Sequence, residues 1–386
     1  MGRRAMLKVG AGAFLAGTGA LAWRAWDQGV FSTGEGVAYA AWDHWLDGAA
    51  DAPQRLVAAA VLAASPHNTQ PWRFRIAQGR IDLFADRSRN IGSIDPFLRE
   101  MHIGLGCALE NLLLAAAASG WRTRLAMLPD ASDVSHVARI ELSRGDSNAS
   151  PLHAAIAQRH TNRGPYAARA LEPSVFAALE ALGGEFPQLA LRWFVTDAQR
   201  REIGAHIVDA TAAIVADAEQ SRDSGAWVRG SWQEVQARRD GLTIDAQALP
   251  GWMRVAGKIL PPISVERADR MWLDATREVH VGTAVAFGLL LVRDANDDAQ
   301  RLQGGRLWQR MHLWAQTRGL AMQPLNQLPE RADRERSAAL TPRFTRVLQS
   351  LVQRDDWQAL MPFRLGYPTV PALRSPRRAV GEVLLT

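Results

Sequence analysis

The sequence predicts an α+β protein of two tandem lobes, each with a mixed or antiparallel sheet and long central helices. Three observations lead there. The chain has 386 residues, more than one domain usually holds, and 47% are apolar, enough for substantial cores. Short alternating stretches bounded by turn residues are interleaved with long apolar runs. Finally, Gly106–Gly120 aligns without gaps on Gly305–Gly319, with Leu114/Leu313 and Ala116/Ala315 also coincident. Such self-similarity marks a unit used twice. Each segment is expected to open a long helix at its first glycine and close it at its second.

Taken in order, residues 24–50 are rich in Trp, Gly and Ala and read as a tether leading into a short helix. Gln54–Ala64 is helical. Pro66 and Pro71 then break the pattern, and Ser65–Gln70 becomes a stiff loop with its polar groups aimed outward. Phe74–Ile76 and Arg80–Ala85 alternate as a hairpin about Gln78-Gly79. Leu98–Ser119 is the buried central helix, capped by Gly120. Leu125–Leu128 and Val137–Leu142 are strands. Asp146–Pro151 has linker composition, so lobe one spans 51–148 and lobe two 149–386. Lobe two opens with helices at Leu152–Arg159 and Pro173–Leu182, a strand at Leu189–Val195 and a helix at Ala198–Ala218. Residues 219–262 are polar and weakly periodic, an insertion that is either a lid over a site or a set of surface helices. Thr283–Val292 is a buried strand, Ala299–Arg318 a helix, and Pro362–Leu365 and Val380–Leu385 are closing strands.

The net charge of +6 invites a nucleic-acid reading. All but two of the 45 basic residues are arginine, which accounts for the pI near 10.3. No basic block stands out beyond Arg3, Arg4 and Lys8, so no electrostatic footprint for nucleic acid is present. The start, Arg3-Arg4 with Leu7-Lys8 and an apolar run from Val9 to about Trp23, resembles a twin-arginine export leader at 1–23. Cleavage could follow Ala20-Leu21-Ala22 or Ala38-Tyr39-Ala40, or the leader could stay as a membrane anchor. Export would make the protein periplasmic or otherwise extracytoplasmic, and folded export favours a protein that carries a cofactor. Cys107 is the only cysteine, so no intrachain disulfide forms.

Five segments carry the chemistry. Ser65-Pro66-His67-Asn68-Thr69-Gln70-Pro71-Trp72 sits between helix and strand. Arg159-His160-Thr161-Asn162-Arg163 offers two guanidinium forks, an imidazole and a hydroxyl to an anion. Gln323-Pro324-Leu325-Asn326 follows the repeated helix after Gly319-Leu320. Phe363–Pro368 and then Arg377-Arg378 close the chain. Together and in this order they resemble the nitroreductase-like flavoproteins, in the two-lobed, Acg-type branch. Thr161 stands where that family usually has Ser.

The resemblance implies FMN as cofactor. Arg159, His160, Thr161, Arg163, Arg377 and Arg378 would hold its phosphate and ribityl chain, with Arg377 favoured over Arg378. Ser65, His67, Asn68 and Gln70 would meet the ring, together with Gln323, Pro324, Leu325 and Asn326. Lobe one lacks an Arg-x-Thr-x-Arg element, and lobe two lacks an Asn-Thr-Gln-Pro-Trp loop. The chain therefore looks like a fused family dimer, a monomer acting as a pseudo-dimer with one site and a degenerate mirror. No catalytic residue beyond the flavin contacts is expected. The implied function is hydride transfer from a reduced nicotinamide or other donor, through FMN, to a nitroaromatic or quinone-like acceptor. The alternative is a non-catalytic protein that sequesters FMN. A metal enzyme and a Ser-His-Asp hydrolase are disfavoured, since neither His-Glu-x-x-His nor Gly-x-Ser-x-Gly occurs.

Overall fold

A computed structural model describes residues 19–385. Arg3, Arg4 and Lys8 lie outside them. The described chain holds two four-stranded antiparallel sheets of identical order. In the first, β1 (Trp72–Ala77), β2 (Arg80–Ala85), β3 (Trp121–Met127) and β4 (His136–Arg144) run 1-2-4-3. In the second, β5 (Leu189–Phe194), β6 (Ala286–Val292), β7 (Ala321–Pro324) and β8 (Gln358–Gly366) run 5-6-8-7. In each, a 20-residue helix joins the second strand to the third: Arg99–Ala118 and Asp298–Thr317.

These two helices carry the aligned glycines, and both first glycines lie inside the helices rather than at their starts. The reason is packing. Gly106 and Gly305 face each other where the helices cross. A methyl group on Gly106 would meet the Gly305 Cα at 3.0 Å and run into the Leu302 carbonyl, and one on Gly305 would run into the Ile103 carbonyl. Gly120 and Gly319 do end their helices, with φ of 73° and 67°.

One hydrophobic core runs through both halves, from Leu56, Trp72 and Leu105 to Leu302, Met311 and Phe363. A second lies behind the lobe-two sheet, around Phe194, Ile203, Phe287 and Leu328. β6 therefore alternates between two cores: Leu290 and Val292 enter the first, Leu289 and Leu291 the second. Burial on both faces explains its unbroken apolar sequence.

Several expectations need correction. Residues 24–50 are not a free tether: Tyr39 and Trp42 are 1% and 2% exposed. Leu152–Arg159 is a short helix, Pro151–Ala154, followed by a 3-10 turn. Val380–Leu385 is not a strand but a helical turn, Val380–Val383; only Leu384 bridges, to Phe74 at the edge of the first sheet. Val-Gly-Glu-Val-Leu-Leu is too short and mixed for its pattern to distinguish turn from strand. Gln323 and Pro324 belong to strand β7, and the helices Gln327–Ser337 and Arg343–Val352 went unrecognised. Among the described residues one helix, Arg99–Ala118, is long and apolar enough to cross a membrane, but it is largely buried in the core.

The crossing gives a test. Gly305→Ala should lose roughly 1–3 kcal/mol or more through overpacking, read from the midpoint of denaturant unfolding. Gly381→Ala, whose added methyl meets nothing within 4 Å, should leave the midpoint nearly unchanged.

Candidate functional site

The loop before β1 is strained. His67, Asn68 and Gln70 have φ of 45°, 56° and 53°, a region that side chains other than glycine rarely adopt. Its base is set by the first long helix, where Ser65 and Pro66 lie against Gly104. Ser65 Oγ accepts from the Gln70 N–H at 3.0 Å. The side chains of Asn68 and Gln70 do not point outward as expected. Both are buried and bonded across the molecule. Asn68 Nδ2 donates to the carbonyls of Gly241 and Pro376 at 3.2 and 3.0 Å, and Arg377 Nη1 donates to Asn68 Oδ1 at 2.6 Å. Gln70 Nε2 donates to the Arg239 carbonyl at 2.8 Å, while its Oε1 accepts from the Arg378 N–H at 2.8 Å. His67 Nε2 meets Ser224 Oγ at 2.9 Å.

The 219–262 insertion thus closes directly on this loop through Ser224, Arg239 and Gly241. It consists largely of short helices, Ala218–Gly225, Trp232–Arg238 and Gly251–Ile259. Asp240 also pairs with Arg89, whose Nε donates to the Thr69 carbonyl at 2.5 Å.

Beneath the loop lies an unusual group of cations. Arg159 and Arg377 share the Leu62 carbonyl, at 3.2 and 3.5 Å. Both are almost fully buried. Nε and Nη1 of Arg159 and Nε of Arg377 meet no acceptor among the described residues. Arg163 donates to the Ala246 carbonyl at 3.2 Å. Arg364 donates to Gln323 Oε1 at 2.8 Å and to the Gly164 carbonyl at 2.7 Å, which carries Gln323 to the same neighbourhood. Among the described residues no carboxylate acts on any of the four. Burial, with Arg163 adding to it, lowers the Arg159 guanidinium to about 10. Burial lowers Arg163 to about 10, with Arg364 adding to it. Burial and then Arg159 hold Arg377 well below its usual range. Unsatisfied buried donors cost about 1–3 kcal/mol each, more when charged. Like charges held together in this way form a site for an anion.

The neighbouring imidazoles stay neutral. Burial, then Arg159 and Arg377, push His160 down to about 3, and burial with Arg163 takes His67 to about 4. Trp42, not singled out from the sequence, lies between two members of the group. Its ring meets His160 edge-on at 4.7 Å and sits under the Arg377 guanidinium at 4.7 Å, and its Nε1 donates to the Ser375 carbonyl at 2.8 Å. The Trp-rich composition of 24–50 was the available signal. Arg364, a lone arginine between Phe363 and Leu365, was likewise passed over.

The structure therefore joins Asn68, Gln70, Arg377 and Arg378 directly. It places Arg159 and His160 beside them, with Arg163 between His67 and Arg364. Thr161 is half-buried. Arg378 is spent on the chain itself, donating to the Gln70 and Glu382 carbonyls, whereas Arg377 keeps an unpartnered N–H. Leu325 and Asn326, expected to meet the ring through their backbone, direct their side chains elsewhere. Leu325 enters the second core, and Asn326 reaches Glu100. Glu100 is raised to about 7 by burial in a cluster with Asp95 and Glu330. A cleft of about 930 Å³ between Trp357 and Asp333 is lined by none of these site residues.

No family model matches the chain. A Mycobacterium tuberculosis protein provisionally named NAD(P)H nitroreductase Rv3131 is 28% identical over 290 residues, 72% of this chain and 77% of the relative. A second protein of that organism, provisionally named NAD(P)H nitroreductase acg, is 34% identical over 120 residues, 30% of this chain and 36% of the relative. Among solved structures, the FMN-dependent nitroreductase NfnB of Mycobacterium smegmatis in complex with NADPH superposes with a TM-score of 0.39 at 17% identity, covering 61% of this chain and 97% of that one.

Two outcomes follow from the cluster. Inorganic phosphate should stabilise the cofactor-free chain by on the order of 2–3 kcal/mol at a hundredfold excess over its Kd, seen as a rise in thermal midpoint, and Arg159→Met should abolish that gain. The second concerns pH. His160 binds a proton near pH 6.5 when unfolded but only near 3 when folded, so the unfolded state takes up the extra proton and stability falls as pH drops through that window. His160→Gln should therefore flatten the loss of thermal midpoint between pH 7 and pH 4.5, measured by calorimetry.

Proposed function

We infer the activity from the family to which this chain belongs, the nitroreductase-like flavoproteins. We propose that it is an FMN-binding oxidoreductase carrying electrons from a reduced nicotinamide to an electron-poor acceptor such as a nitroaromatic or a quinone. The observation that carries the proposal is the buried guanidinium group. Among the described residues Arg159, Arg163 and Arg377 have no carboxylate partner, and Arg159 and Arg377 retain unpaired N–H groups. A phosphate dianion is the ligand chemistry that would satisfy them.

When bound, FMN would supply the two-electron chemistry, accepting hydride and passing electrons on. The chain's own part is to hold, orient and shield. Arg159, Arg163 and Arg377 would bind the phosphate, with His160 and Thr161 beside the ribityl chain. Neutral His67 and His160 add no further positive charge to the group. Ser65, Asn68, Gln70 and Gln323 would present hydrogen-bonding groups to the ring. Asn68 and Gln70 now bond to Gly241 and Arg239, so ring uptake would exchange those contacts and move the insertion. This supports reading 219–262 as a lid.

We also propose one FMN per chain. The strained loop comes from lobe one and the arginines from lobe two, so a monomer would supply both halves of a site that a family dimer builds between subunits. The closed insertion favours a second reading, FMN sequestration without turnover. The two readings separate on NADH or NADPH oxidation by the purified flavoprotein in the presence of an acceptor.

The purified or reconstituted chain should show a flavin absorption spectrum at one FMN per chain. Arg159→Ala should weaken FMN binding at least about tenfold, as expected for a charged hydrogen bond of roughly 1.5–3 kcal/mol. Arg124→Ala, on an exposed strand, should not. Absence of flavin after reconstitution would sink the cofactor assignment, and two FMN per chain would sink the single-site one.

A further inference from the structure

The exposed large apolar side chains gather in one region. Of the seventeen among the described residues, ten fall within 21–31 and 252–271. Residues 19–27 form a helix on which Trp23 and Trp26 are 62% and 73% exposed, and Phe31 just beyond it is 74% exposed. The helix Gly251–Ile259 has no buried residue; Trp252 is 71% exposed, and Leu260 and Ile263 follow at 60% and 47%.

The two segments are clamped together. Arg24 Nε donates to the Ile259 carbonyl at 2.6 Å. Lys258 Nζ donates to the Gly29 carbonyl at 3.1 Å and to Thr33 Oγ1 at 3.2 Å. Gln233 Nε2 donates to the Asp27 carbonyl at 3.0 Å. Trp23, Trp26, Phe31, Trp252, Leu260 and Ile263 therefore belong to one clamped unit, in which Arg24, Lys258 and Gln233 are spent on internal bonds. An apolar surface of this kind marks an interaction site rather than scattered exposure.

We propose that this face docks on a lipid bilayer, independently of any flavin. Two features select lipid. Trp23, Trp26 and Trp252 are all exposed on this unit, and the indole favours the headgroup level of a bilayer. Finally, the uncharged sequence Val9–Trp23 is continuous with the face and ends on one of its members. That run is fifteen residues long, short of the roughly 20 needed to span a membrane. A bilayer that takes it up meets Trp23, and with Trp23 comes the clamped unit. The protein would then lie against the membrane with 19–31 and 251–265 as its contact surface, not hang from a flexible leash.

The only native cysteine, Cys107, is buried, so an introduced surface cysteine can be labelled selectively. The full chain carrying Trp252→Cys, or in a separate variant Leu260→Cys, is labelled with an environment-sensitive fluorophore. It is mixed with phosphatidylethanolamine–phosphatidylglycerol vesicles containing nitroxide-labelled lipid. Arg124→Cys, on an exposed strand of the first sheet, is the reference. The expected result is a blue shift and loss of emission at 252 and 260, with no change at 124. Equal quenching at all three positions, or at none, would overturn the proposal, because tethering through residues 9–23 alone gives no preferred face. A blue shift without vesicles that grows with protein concentration would assign the face to a second copy and overturn it too.

Discussion

The crossing of the two long helices at Gly106 and Gly305 is the constraint on which the rest depends. Only hydrogen at both positions lets the backbones approach so closely that a methyl on either would strike the other helix. That approach fuses the two repeats around one core, with Leu105 and Cys107 on one side and Leu302 and Leu307 on the other. It also seats the site. Gly104, two residues before the crossing, receives Ser65 and Pro66, so the helix that meets lobe two is the one that holds the strained loop in place.

A group of buried like charges makes opposite demands. Arg159 and Arg377 gain only a few carbonyl hydrogen bonds in return for leaving water, and each is pushed toward deprotonation by burial and by its neighbours. Such an arrangement persists only where the surrounding structure determines it. Here the C-terminal segment, the N-terminal segment and the insertion all contribute. Pro376 and Arg377 bond to Asn68, Ala38 accepts from the Arg377 N–H at 2.7 Å, and Trp42 covers the Arg377 guanidinium. A desolvated cation–π contact of this kind contributes about 2 kcal/mol. Stability has been given up at the place where an anion would restore it.

Much of the site was legible because its chemistry is local. Arg159-His160-Thr161-Asn162-Arg163 concentrates donors within five residues, and two prolines around Asn68-Thr69-Gln70 rule out both helix and regular strand. What stayed hidden depends on contacts across the chain. Trp42 looks like any tryptophan in a tether until His160 and Arg377 close on it, and their sequence distances carry no signal. Arg364 sits in an apolar strand and shows its role only when Gln323 and Gly164 supply its acceptors. The outward aim expected for Asn68 and Gln70 failed for the same reason. Their partners lie more than 160 residues away, in the insertion and the C-terminal segment.

The sequence by itself determined the elements whose signal is periodic or compositional. These are the long helices with their glycine ends, the buried strand β6, the repeat of one unit, and the donor-rich segments. Periodicity reports which face of an element is buried, so it can be read without knowing the partner. Tertiary structure decided the rest. It made Gly106 and Gly305 a contact instead of two helix starts, and Val380–Val383 a turn instead of a strand. It folded Ala38, Tyr39, Trp42 and Trp45 into the core and brought the arginines together with no carboxylate among the described residues beside them. Each of these outcomes depends on which surface meets which, and that is a property of the packed chain, not of any stretch within it.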